Sequence, residues 1–128
     1  MKDMARLFIL TGILFLVAGM GFGLVMGHSQ DYRYIPVHAH LNLLGFVLMF
    51  LFGLGYKVWP DMQEGLLCRI HYFLHVIGVV VSMLAVFYIV QDPEANGATL
   101  GPVADGAGAM TLVGVLLFAF LFSTRAKS

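Results

Sequence analysis

Four stretches of this sequence contain no Asp, Glu, Lys or Arg: Leu7 to Gln30, Tyr34 to Tyr56, Ile70 to Gln91 and Gly106 to Thr124, of 24, 23, 22 and 19 residues. At about 1.5 Å of rise per residue, each makes roughly 28 to 36 Å of helix, enough to cross a hydrocarbon core of about 30 Å. Only helices and closed barrels satisfy every backbone group in lipid, and these continuous apolar runs lack the alternation of a barrel strand. The expectation is an all-α membrane protein: one domain over residues 1–128, with four transmembrane helices at about 7–28, 36–56, 68–91 and 104–124.

The rest of the composition agrees. Charged residues make up 11% of the chain, less than half of the roughly 25% usual in soluble domains, and mean hydropathy is +0.91. So few charges could not clothe a small soluble fold. A single cysteine, Cys68, excludes a disulfide-stapled module. Seven basic and seven acidic residues leave no basic footprint, so no nucleic-acid partner is expected, and the surroundings are membrane lipid. The run from Leu7 is too long for the core of a cleaved signal peptide and reads as the first span.

Lys2, Arg6, Lys57, Arg69, Arg125 and Lys127 fall on one side of these spans and Arg33 alone on the other. Six against one places both termini in the cytoplasm by the positive-inside rule. Tyr32 and Tyr34 mark the outer boundary, and Tyr56 and Trp59 the inner one, as an aromatic belt does. The segment Asp92 to Asp105, with Asp92-Pro93, Asn96-Gly97 and Gly101-Pro102, reads as an external acidic loop.

Gly12, Gly19, Gly23 and Gly27 form a strip along the first span, with Gly45 and Gly53 in the second. Such strips admit a neighbouring helix backbone or the wall of a flat cofactor. With no acid or base deep in any span, buried polar chemistry falls to histidine and Asn42, and ionisable groups inside a membrane point to function. His38 and His40 stand two apart, turned by about 200° on a helix, so they cannot serve one metal from one side. Imidazole is a common metal ligand, so both rings are candidates to ligate. Asn42, four residues after His38, shares its face and is placed to fix that ring or reach a cofactor substituent. His71 and His75, four apart, are placed to chelate one Cu or Zn ion with help from elsewhere, although His71, one turn inside the boundary, also reads as a residue reaching interfacial water.

These residues carry a resemblance. His38-Ala39-His40 followed by Gly45, Phe50, Gly53, Gly55 and Trp59-Pro60 resembles the tenth helix of subunit I of haem-copper oxidases, nitric oxide reductase relatives included. Cys68-Arg69-Ile70-His71-Tyr72-Phe73 with Ile77-Gly78-Val79 is similar to the start of that subunit's eleventh helix, and Ala18-Gly19 with Gly23 to its first. The family subunit is built as three arcs of four helices, and this chain resembles one arc. The resemblance implies that His38 and His40 are axial haem ligands facing two pores and that His71 is structural; from their spacing, Gly19, Gly23, Gly45 and Asn42 are expected beside the cofactor. Because one arc cannot close both faces of the second span, a cyclic homotrimer is expected, each pore taking His38 from one protomer and His40 from the next. Two imidazoles on one iron make a six-coordinate haem b suited to electron transfer.

The departures from the family matter equally. No His-His copper pair and no His-Pro-x-x-Tyr segment is present, and the spans lack the acids of a proton channel. Oxygen reduction and pumping are therefore not expected. The expected function is a b-type haem protein of the bacterial inner membrane, exchanging electrons with a quinol or a periplasmic redox protein. The alternatives are a membrane protein handling copper or zinc through His38, His40, His71 and His75, and a non-catalytic accessory or assembly subunit of an oxidase. A small multidrug exporter fits the length, but the first-span glutamate of those proteins has no counterpart in Leu7 to Gln30.

Overall fold

The computed structural model describes residues 3–127, and every regular element among them is helical. Helix α1 runs Met4–Ser29; the Asp3 carboxylate caps it by accepting from the Arg6 amide, and Gln30 ends it in the left-handed conformation with φ 57°. A 3₁₀ turn, Tyr32–Tyr34, leads into the second span. That span is α2 (Ile35–His40), a π-helical stretch Leu41–Val47, and α3 (Leu48–Val58), joined without a break. A 3₁₀ turn at Pro60–Gln63 and Gly65, whose φ of 80° suits glycine, turn the chain into α4 (Leu67–Gln91). Helix α5 is Pro93–Arg125.

The expected external loop from Asp92 to Asp105 is instead helical, and only Asp92 separates α4 from α5. Pro93 occupies the first turn, where its missing N–H costs nothing, and Asp92 accepts from the Ala95 amide at 3.0 Å. Asn96 Nδ2 donates to the Tyr88 carbonyl at 2.9 Å, tying the two helix ends together. The apparent turn dipeptides lie among Ala95, Ala98 and Ala104, strong helix formers, and Pro102 is carried inside the helix. At 33 residues, α5 is about 50 Å long and outreaches a bilayer core.

The helices form two hairpins, α1 with the second span and α4 with α5. Glycines set their spacing. A Cβ on Gly78 would lie 2.8 Å from the Ala107 carbonyl, and one on Gly53 would lie 2.9 Å from the Ala5 carbonyl, so each pair approaches to backbone distance. The hairpins are joined by one cluster around Phe8, Met49, Phe52, Tyr56, Cys68 and Leu121, and a second around Val37, Leu41, Val79 and Met83.

Both described ends of the chain gather beside the α3–α4 connection: the Ala5 amide donates to Gln63 Oε1 at 3.2 Å, Arg125 donates to the Glu64 carbonyl, and Lys57 Nζ lies 3.9 Å from Asp3. Outward faces are apolar on every helix, with Leu14 and Leu24 of α1 70% and 76% exposed. Surfaces of that kind need lipid or a partner to cover them. Four helices are long and apolar enough to cross a membrane, and the chain is a multi-pass membrane protein by that measure.

Candidate haem-ligand pair and the buried histidines

The second span presents His38 and His40 differently. His38 turns toward α1, where Gly23 leaves room for the ring: a Cβ there would sit 3.0 Å from His38 Cε1. Its Nδ1 lies 2.7 Å from the Gly19 carbonyl. His40 is exposed and folds back on its own helix, with Nδ1 2.7 Å from the Pro36 carbonyl. A carbonyl can only accept, so in both rings Nδ1 carries the proton and Nε2 presents a lone pair. Pro36 supplies a carbonyl early in the helix, and Gly19 lets α1 approach closely enough to supply the other.

Asn42 is packed directly over Gly19, in space that a Cβ would fill. Its Nδ2 is 3.4 Å from both nitrogens of His38, beyond a firm hydrogen bond, so it borders the ring without consuming the Nε2 lone pair. Asn42 Oδ1 is buried without a partner among the described residues. Gly45 is covered by Phe15 of α1. Gly19, Gly23 and Gly45 are thus filled by Asn42, His38 and Phe15 within the chain, so they act as packing positions and set the His38 ring in place.

The π-helical stretch begins one residue after His40 and contains Asn42, Leu44 and Gly45. Such widened turns recur at functional sites because they re-aim neighbouring groups. Here Leu44 offers its carbonyl to His75 Nε2 at 2.8 Å, linking the second span to α4.

His71 and His75 are both fully buried. The placement of His71 at interfacial water is corrected: its Nδ1 is 2.7 Å from the Tyr56 hydroxyl, and the rings of Phe8 and Phe52 lie 4.9 and 4.6 Å away, centroid to centroid. Tyr56, near the inner end of the second span, is fully buried and not turned out as a belt residue, its carbonyl accepting from Gln63 Nε2 at 2.9 Å. The reason is register rather than depth. Gly45, Met49, Phe52 and Tyr56 form one buried stripe of the second span, and Cys68, His71, His75, Gly78 and Ser82 form its counterpart on α4. The 3- and 4-residue spacings were visible in the sequence and mark Tyr56 as a partner for α4.

The structure keeps the two histidine pairs apart: His71 and His75 are enclosed with Tyr56, whereas His38 and His40 lie between α1 and the open side of the second span. Among the described residues no three His, Cys, Asp or Glu side chains converge into a metal site. His28 is exposed at the end of α1. Comparison with known protein families, curated proteins and solved structures finds no match for this chain.

Proposed function

We propose that this chain is a b-type haem protein of the bacterial inner membrane, working in electron transfer, with His38 and His40 as axial ligands contributed by neighbouring protomers of a homotrimer. The observation that carries this reading is the state of the two rings. Each is fixed at Nδ1 by a backbone carbonyl at 2.7 Å and offers Nε2, the arrangement in which an imidazole ligates iron with its tautomer already set. The two Nε2 atoms belong to rings on different sides of one span, so two such rings meet at one iron only if copies of the chain associate.

Bound between two imidazoles, haem supplies one-electron exchange at a coordinatively saturated iron. The chain's part is to hold and to shield. The Gly19 carbonyl orients His38, Gly23 gives its ring clearance, Asn42 closes one edge, and the Pro36 carbonyl holds His40 outward. Apolar helix faces exclude water around them. With both termini in the cytoplasm, the pair lies nearer the outer surface, within reach of a quinol or a periplasmic redox protein.

The test is an absorption spectrum of the purified oxidised and reduced protein with metal analysis. The reading expects a six-coordinate low-spin haem b signal that His38→Ala or His40→Ala removes. Copper or zinc without porphyrin would support metal handling by the same histidines, and neither pigment nor metal would leave the accessory-subunit reading.

A further inference from the structure

His71 and His75 form a second imidazole pair that the proposed haem site does not use. They lie one turn apart on α4, both 0% exposed, with ring centroids 6.2 Å apart and planes at 73°. Each ring has one nitrogen committed. His75 Nε2 donates to the Leu44 carbonyl, which leaves Nδ1 a bare lone pair. His71 Nδ1 pairs with the Tyr56 hydroxyl, and in the tautomer where it donates there, Nε2 is bare as well. His71 Nε2 and His75 Nδ1 are both buried with no hydrogen-bond partner among the described residues. Buried polar atoms left without a partner are rare and costly, and two on neighbouring turns of one helix call for a ligand.

The surroundings define which ligand suits them. Phe52 stands edge-on to both rings, at 4.6 and 5.2 Å, and Phe8 and Phe118 lie 4.9 and 5.6 Å from His71. No carboxylate joins the pair, and no third His, Cys, Asp or Glu converges on it among the described residues. A divalent ion needing four ligands and compensating charge is poorly served there. A monovalent ion that accepts two imidazole nitrogens is better served. Two metal–nitrogen bonds of about 2 Å, with half of each ring added, would span about the observed centroid separation when the two bare nitrogens face each other.

The geometry points to a two-coordinate copper(I) site between His71 Nε2 and His75 Nδ1, with the Tyr56 hydroxyl and the Leu44 carbonyl fixing the ring tautomers. The site rests on residues separate from the haem ligands, so it stands or falls independently of them.

The test is anaerobic titration of the purified full chain with copper(I) held by a competing chelator, with X-ray absorption at the copper edge and the haem spectrum read on the same samples. The site predicts one copper(I) per chain, a nearest shell of two nitrogens, and no comparable uptake of zinc. His71→Gln and His75→Leu should each weaken binding more than about tenfold, and Tyr56→Phe by about ten- to a hundredfold, as outer-shell partners do. The haem bands should persist in all three. Less than one copper per chain, a sulfur or third nitrogen in the shell, equal uptake of zinc, or retention of copper in both histidine variants would overturn the site. Should a variant fail to fold, the shell measured in the unaltered protein decides.

Discussion

His38 is held on α1 through its Nδ1, 2.7 Å from the carbonyl of Gly19, while the bare face of Gly23 one turn on accepts the edge of the same ring. The orientation of a residue on the second span is therefore set by glycines on the first. Gly23→Ala would place a methyl 3.0 Å from His38 Cε1, and overpacking of this kind costs about 1–3 kcal/mol. The variant should shift the haem bands and lower the melting temperature together. Gly27→Ala, with nothing within 4 Å, should change neither band position nor shape.

Gly78 is where α4 and α5 approach to backbone contact, and the space for a Cβ is taken by the Ala107 carbonyl and Thr111. Backbone cannot yield as a flexible side chain can. Gly78→Ala should therefore destabilise by about 1–3 kcal/mol in a thermal melt in detergent, whereas Gly97→Ala, open on all sides, should be neutral or stabilise by up to about 1 kcal/mol.

Tyr56 and His71 share a buried hydrogen bond of 2.7 Å. Tyr56→Phe keeps the ring but strands His71 Nδ1, at a cost of about 1–3 kcal/mol. Thermal unfolding should register that loss while the haem spectrum stays unchanged, because Tyr56 belongs to the other histidine pair.

How much of this was legible in the sequence varies with the kind of signal. The four spans followed from runs without charge, and the divergence of His38 and His40 followed from their spacing, since two residues on a helix must face different ways. Hydrogen bonding was less legible. That Gly19 offers a carbonyl to His38 depends on how two helices are set against each other, which spacing within one helix does not encode. The burial of Tyr56 is missed because depth along the span is read without register, and the helix over 93–105 because Pro93 suits a loop and a helix start alike and Gly101-Pro102 is carried within α5.

The helical form of 93–105 bears on orientation. Gly97 is half-buried on the first turns of α5, with nothing within 4 Å of where a Cβ would stand, at the end opposite the termini. In a Cys68→Ser background, Gly97→Cys in intact cells should react with a membrane-impermeant maleimide from outside, and Lys127→Cys only after lysis. The reverse pattern would invert the topology.

The claim that each iron takes rings from two copies of the chain is tested most directly by co-expression of His38→Ala and His40→Ala chains. Each variant alone should lack the six-coordinate haem signal. In a mixed trimer, one of the three interfaces pairs an intact His38 with an intact His40, so co-expression should restore part of the signal. A six-coordinate signal in either variant alone, or none on co-expression of two well-folded chains, would contradict the account.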